Sequence, residues 1–282
     1  MRKILFEMKN SVQKNKINDI IGGGDFMRIF LTAGTEDGRK LAEFLSRQGY
    51  EVTASVVSEY GKKILEQYAE IKISEKKLNA DELTDILRGK FDVLVDASHP
   101  YAVNVSQNAI DACRRAEILY VRFERDEVEV STENIFHVAD YEQAALKAAE
   151  LGKNIFITTG SRNLKKFVES PALKDCNLTV RILPTAEVLS ECEGLGLTPK
   201  NIIAMQGPFS TGLNVEMFKQ CRAEVIVTKN SGKTGGADTK LDAAKILNLP
   251  VVMIDRPKIF YPNVASTFEE VLKFIESKGV AE

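Results

Sequence analysis

The stretch Arg28-Ile29-Phe30-Leu31-Thr32-Ala33-Gly34-Thr35-Glu36-Asp37-Gly38-Arg39-Lys40-Leu41-Ala42-Glu43-Phe44-Leu45 decides the fold. Its first six residues make a short, mostly apolar run of the kind a buried strand requires. Glycines at 34 and 38 then mark a tight turn, and from residue 38 to 48 the apolar positions recur at helical spacing. Strand, glycine turn and helix in direct succession form one βα unit, and the rhythm repeats outward from it. Strands are predicted over 28–33, 51–57, 92–96 and 118–122, with helices over 38–48, 81–88 and 101–115; Pro100 stands where a helix's first turn tolerates it. A second series follows, with strands over 154–158, 179–183, 201–205, 224–228 and 251–254. Its helices include 186–192, 214–221 and 239–247, and a closing helix covers 268–277. The expected architecture is therefore α/β: two Rossmann-like, doubly wound parallel-sheet domains, 27–150 and 151–282, with a ligand cleft between them facing the carboxyl ends of both sets of strands. No short-period repeat occurs, which excludes a solenoid. Residues 1–26 read as an N-terminal extension outside the fold, ending in Gly22-Gly23-Gly24-Asp25 before Met27.

Composition narrows the function classes. The 282 residues suit one large or two medium domains. With 44% hydrophobic and 28% charged residues there is material for a core and no compositional case for disorder. Thirty-eight basic against 40 acidic residues give a net charge of −2, which argues against a protein built to hold nucleic acid. Cys113, Cys176, Cys192 and Cys221 are widely spaced, and with only His99 and His137 beside them they make no structural metal site. No apolar run reaches membrane-spanning length and no signal-peptide core is present, so a reduced, cytoplasmic, enzyme-sized protein is expected.

Three segments carry the chemistry. In the first, Gly34, Thr35, Glu36, Gly38 and Arg39 open the first helix, where glycine lets a phosphate approach the backbone and the helix N-terminus offers N–H groups. A dinucleotide fits this context, although the spacing is not G-x-G-x-x-G and a plain structural turn is the alternative. The second strand ends on Ser55 with no ribose-binding carboxylate, which favours NADPH over NADH. In the second segment, Asp96-Ala97-Ser98-His99-Pro100-Tyr101-Ala102, His99 with Asp96 and Tyr101 forms a candidate catalytic set and Ser98 a cofactor contact. Helix capping by Ser98 or His99 is the bland reading. The third, Thr228-Lys229-Asn230-Ser231-Gly232-Lys233-Thr234-Gly235-Gly236 followed by Lys240, makes an anion cradle of hydroxyls, glycines and lysines, or a solvated charge run. Similar cradles occur at Thr158-Thr159-Gly160-Ser161-Arg162 and Gln206-Gly207-Pro208-Phe209-Ser210. Tyr68-x-x-x-Lys72 has the spacing of a short-chain dehydrogenase pair but falls too early in the chain to act as one.

These loops, in this order, resemble the precorrin-6A reductase family of corrin (vitamin B12) biosynthesis, including its cobalt-precorrin-6A members. The markers are residues 34–39, 96–102 and Val121-Arg122-Phe123-Glu124-Arg125, together with 206–210 and 228–232. Family members usually read Gly-Gly-Thr where this chain has Ala33-Gly34-Thr35, and Thr where it has Ser98; both changes keep the proposed chemistry. The resemblance implies NADPH-dependent reduction of one double bond of a ring-contracted tetrapyrrole to the 6B form. It places the cofactor on the first domain and the polycarboxylate substrate on a rim in the second. Arg162, Gln206, Ser210, Lys229, Ser231, Lys233 and Lys240 would form that rim, with Arg122 and Arg125 opposite. Any cobalt would belong to the substrate. The competing expectations are a reductase of a small carbonyl compound and a non-catalytic nucleotide-sensing module.

Overall fold

The computed structural model describes residues 27–56, 59–68, 70–76, 78–125, 134–230 and 237–279. These divide into two compact units, one made of the described residues up to Arg125 together with those from Ile259 onward, the other of those between them, up to Lys258.

In the first unit β1 (Arg28–Thr32), β2 (Glu51–Ser55), β3 (Lys72–Ser74), β4 (Val93–Asp96), β5 (Leu119–Phe123) and β12 (Val264–Ala265) form a sheet of order β12-β5-β4-β1-β2-β3. Every pairing is parallel. Alternation along β1 and β4 feeds two cores, as a strand covered on both faces demands. Ile29, Leu31, Val93 and Val95 pack with Leu41 and Leu45 of α1 (Glu36–Arg47) and with Val271 and Ile275 of α10 (Phe268–Gly279). Phe30 and Leu94 pack on the opposite side with Leu83 and Leu87 of α3 (Ala80–Leu87) and Ala109 and Ala112 of α4 (Val103–Ala116). A short α2 (Glu59–Leu65) follows β2.

The second unit repeats the plan. Its sheet runs β6-β11-β10-β7-β8-β9, all parallel, from β6 (Ile135–Val138), β7 (Asn154–Ile157), β8 (Asn177–Ile182), β9 (Ile202–Ala204), β10 (Val225–Lys229) and β11 (Val251–Ile254). Its helices are α5 (Tyr141–Leu151), α6 (Leu164–Val168), α7 (Ala186–Gly194), α8 (Thr211–Gln220) and α9 (Ala237–Ile246). Phe156 and Ile226 pack on Val215 and Phe218 of α8 and on Leu241 and Ala244 of α9. Two doubly wound sheets are thus present, as the βα rhythm predicted.

Strand pairing differs from the expected division at residue 150. Residues 135–151 build β6 and α5 of the second unit, and residues 259–279 return to the first. Each sheet takes its outermost strand on that side from beyond the expected boundary because its edge donors are met there: Arg122 N and Glu124 N bond Asn263 O and Ala265 O, while Val251 N and Asp255 N bond Asn134 O and Val138 O. Among the described residues no helix is long and apolar enough to cross a membrane.

In each sheet the strand order reverses at one place, between β1 and β4 in the first unit and between β7 and β10 in the second. Adjacent loops diverge at such a point and leave a crevice at the carboxyl ends of the strands, where ligands bind in open α/β sheets. The predicted loops 34–39 and 96–102 follow β1 and β4, and 158–162 and 228–236 follow β7 and β10, whereas 206–210 follows β9.

Candidate functional site

At the first reversal, Thr35 caps α1 by accepting from Gly38 N at 2.9 Å and donates to Ala97 O at 3.1 Å, joining the turn after β1 to the turn after β4. A Cβ on Gly38 would lie 3.1 Å from both Ala33 Cα and Ala97 O, so this glycine serves close packing of the helix on the sheet. Around Gly34 a Cβ would meet nothing within 4 Å, leaving open space over the backbone beside the helix N-terminus. The two acids of that first turn are already matched. Glu36 pairs with Lys40 at 2.7 Å, whose hydrogen bond holds its carboxyl below the usual range, and Asp37 pairs with Arg125. A phosphate therefore meets amide donors there without facing unpaired carboxylates, and the residues present fit a dinucleotide. Arg39 is half-buried, and Ser55, at the end of β2, accepts from Ala33 N through its carbonyl.

Ser55, Thr32, Asp96 and Arg122 are consecutive partners in one register row across β2, β1, β4 and β5. Asp96 is fully buried, and its carboxylate accepts from Thr32 Oγ1 (2.9 Å), Ser98 N (3.0 Å) and Tyr120 OH (3.0 Å). It also pairs with Arg122 at 3.1 Å. Burial works to raise its pKa, but the Arg122 charge and the hydrogen bonds hold it below the ordinary value. Arg122, itself 0% exposed, donates to Asp96 O and Ser98 Oγ and lies 5.3 Å from the Tyr261 ring centre. Two expectations change here: Arg122 is sealed inside the unit instead of standing on a substrate rim, and Asp96 lies beneath the turn instead of facing a ligand. Arg125, also expected to meet substrate carboxylates, is engaged by Asp37.

Above this row, Tyr101 N donates to His99 Nδ1 at 3.2 Å, the two rings 5.6 Å apart, and both residues are half-buried. With Nδ1 accepting, the ring carries its proton on Nε2. Neither Ser98 nor His99 caps α4; its N-cap is Ala102, with no side-chain cap bond.

At the second reversal cationic side chains lie within electrostatic reach of one another. Thr159 Oγ1, Thr228 Oγ1 and Asn230 Oδ1 are enclosed and have no hydrogen-bond partner among the described residues. Lys229 is half-buried; its pKa is pushed down to about 8 by burial and by the exposed Arg162. Lys240, 8% exposed, is pushed down to about 7, first by burial, then by Arg181 and Lys229, with Asp238 opposing. Arg181 went unnoticed in the sequence. It is buried, donates to Asn214 Oδ1 at 2.6 Å, sits 4.0 Å from the Phe209 ring centre, and burial pushes its pKa down to about 10. Its signal was a lone cation inside the apolar run of β8. Ser210 caps α8, while Gln206 is exposed beside a cis Gly207–Pro208 bond. Ser231 and Lys233 lie outside the described residues.

Residues 28–276 match the family described as Precorrin-6x reductase CbiJ/CobK. The cobalt-precorrin-6A reductase of Priestia megaterium is 44% identical over 246 residues, covering 86% of this chain and 96% of its own. That of Methanocaldococcus jannaschii is 36% identical over 252 residues, covering 88% and 98%. The solved structure of CobK precorrin-6A reductase superposes with a TM-score of 0.73 at 26% identity, covering 91% of this chain and 98% of that one.

Proposed function

The chain belongs to the precorrin-6x reductase family, and from that premise we propose that it reduces one double bond of cobalt-precorrin-6A, or of metal-free precorrin-6A, with NADPH. The cobalt form is favoured by the relatives at 44% and 36% identity, both cobalt-precorrin-6A reductases. When bound, the dihydronicotinamide supplies a hydride to one carbon of the double bond, a proton completes the neighbouring carbon, and the cofactor leaves oxidised.

The first unit suits the nucleotide. Gly34 leaves room for the pyrophosphate, and the amides of the first turn of α1 receive it. Arg39 and Ser55 are the groups assigned to the ribose 2′-phosphate, since β2 ends without the carboxylate that would favour NADH. His99, Ser98 and Tyr101 border the nicotinamide end. Tyr101 N donates to His99 Nδ1, which leaves Nε2 as the ring nitrogen turned to other partners, and the proton comes from His99 or from solvent.

The observation that carries the substrate assignment is the surplus of buried positive charge at the second reversal. Arg181 on β8 and Lys240 on α9 are both buried, Arg181 lies near enough to depress the Lys240 ammonium, Asp238 is the one acid acting on Lys240, and the enclosed Thr159 and Thr228 hydroxyls of the same unit have no partner among the described residues. Buried cations persist where an anion completes them, and a macrocycle with many carboxylates does so. Arg162, Gln206, Ser210, Ser231 and Lys233 are assigned to the same rim. The test is turnover of NADPH with precorrin-6A and its cobalt complex side by side, followed by absorbance, and with NADH in parallel. Oxidation of NADPH by neither substrate overturns the proposal, and equal kcat/KM with NADH overturns the cofactor preference.

A further inference from the structure

The buried ionic row in the first unit needs a reason beyond stability. A buried pair such as Asp96 and Arg122 is often no better than apolar residues of equal volume, because desolvation cancels the attraction. Val95 and Val121, one residue earlier on the same strands, show the apolar solution. What distinguishes the ionic row is where its bonds end. Asp96 Oδ1 is shared by Thr32, the last residue of β1 before the Gly34 turn, and by Ser98 N in the turn after β4. Arg122 Nη1 reaches Asp96 O and Ser98 Oγ, and Ser98 Oγ lies 3.4 Å from Ser106 Oγ on α4. Tyr120 OH fixes the second carboxylate oxygen. The strand that presents Tyr120 and Arg122 is held by the returning segment: Asn263 Nδ2 donates to Tyr120 O, Arg122 N donates to Asn263 O, and Tyr261 lies over the guanidinium.

We propose that Tyr120, Arg122 and Thr32 are positioning residues that hold the turns after β1 and β4 in register with each other through the Asp96 carboxylate. The segment around Tyr261 and Asn263 completes the device. It rests on the reading that these turns border the nicotinamide. A carboxylate held at both oxygens by groups from β1, β5 and the turn after β4 allows the two turns one relative placement, and a ligand that touches both turns is oriented by it.

Removing Asp96 or Arg122 outright strands a buried charge and unfolds the unit, so the test uses milder changes. Tyr120→Phe and Thr32→Val each delete one hydroxyl, Thr32→Ser restores it, and Leu87→Ala in α3 is a destabilised control outside the network. His99→Ala and Gly34→Val report whether the turns matter at all. NADPH affinity is read by fluorescence titration, kcat and KM by turnover, and stability by thermal melting. Tyr120→Phe and Thr32→Val are expected to lower kcat about 10-fold. Thr32→Ser should recover most of it, while Leu87→Ala loses as much thermal stability and keeps kcat. If Tyr120→Phe and Thr32→Val only melt earlier, like Leu87→Ala, while His99→Ala loses turnover, the positioning role is overturned and the site stands. If His99→Ala and Gly34→Val both leave turnover and NADPH affinity intact, the site reading falls and the proposal with it.

Discussion

Replacing Lys240 by methionine tests whether the second unit accepts instability in order to hold an anion. The side chain is 8% exposed, and burial together with Arg181 and Lys229 takes its pKa from 10.5 to about 7. At about 1.36 kcal/mol per pH unit, the charged form costs the folded state on the order of 5 kcal/mol. The sign follows from linkage. The folded pKa lies below the unfolded one, so between about pH 7 and 10.5 the unfolded chain holds a proton that the folded chain lacks. Stability contributed by this residue therefore rises with pH through that window, and the full cost is present below about pH 7. Lys240→Met removes the cost. A gain of about 1–4 kcal/mol is expected at pH 6, the range found when buried charges give way to apolar groups. The midpoint should rise roughly 2–4 °C per kcal/mol, and the gain should shrink toward pH 10. The same change removes a charge-assisted donor worth about 1.5–3 kcal/mol, so KM for the tetrapyrrole should rise roughly 10- to 100-fold while KM for NADPH holds. Thermal melts at several pH values and steady-state kinetics with each substrate varied decide it. A variant that melts earlier and keeps its tetrapyrrole KM would show that Lys240 is structural, and the charge argument for the rim would fail.

Gly34→Val should keep the fold, since its Cβ meets nothing within 4 Å, yet weaken NADPH at least 10-fold by filling the phosphate's approach; unchanged affinity by fluorescence titration counts against the site. Gly38→Ala should lose about 1–2 kcal/mol in spite of better helix propensity, because its Cβ presses on Ala33 Cα and Ala97 O, and a raised melting temperature refutes the packing argument. Lys229→Ala should raise the tetrapyrrole KM, more strongly at low salt, and leave that for NADPH within a few-fold; the reverse makes the 228–236 loop a cofactor clamp. Tetrapyrrole affinity of the unaltered protein should fall as pH rises through about 7 to 8, where Lys240 and then Lys229 shed their protons, and calorimetry in two buffers should detect proton uptake on binding.

Much of the fold was legible because central strands of a parallel sheet are apolar on both faces, so β1, β4, β7, β10 and β11 stood out as runs. The loops after them were legible as sites for the same reason, since polar and glycine-rich sequence directly after a buried run marks the open end of the sheet. The exchange of outer strands was not legible. β12 has two residues, β6 is mostly half-buried with only Val138 fully buried, and pairing across such distances leaves no local periodicity. Nor did the sequence separate a charge at the surface from one in the core. A polycarboxylate's need for positive groups points to Arg122 as a rim residue, although its position between Val121 and Phe123, both buried, is the contrary clue.

On the proposed function, the two buried arginines separate the tasks of the units. Arg122 and Arg181 occupy comparable places, each inside a strand near its carboxyl end, and each lies beside an aromatic ring, Tyr261 or Phe209. Arg122 has Asp96 at 3.1 Å and Glu124 at 3.6 Å, so its charge is balanced by carboxylates of the protein, while its Nε and Nη2 have no hydrogen-bond partner among the described residues. Arg181 has the neutral Asn214 and no carboxylate among the described residues, with Lys240 near enough to lose proton affinity to it. A charge closed by a protein anion fixes geometry and has little left for a ligand. One left open in a low-dielectric surrounding raises the local potential, which is relieved by proton loss from neighbouring lysines or by an incoming anion. A ligand that needs accurate placement belongs with the first arrangement, and a ligand that brings many negative charges with the second. On the proposed function, that is the division between a nicotinamide, which must present one carbon, and a tetrapyrrole polycarboxylate, which must be gripped by its rim.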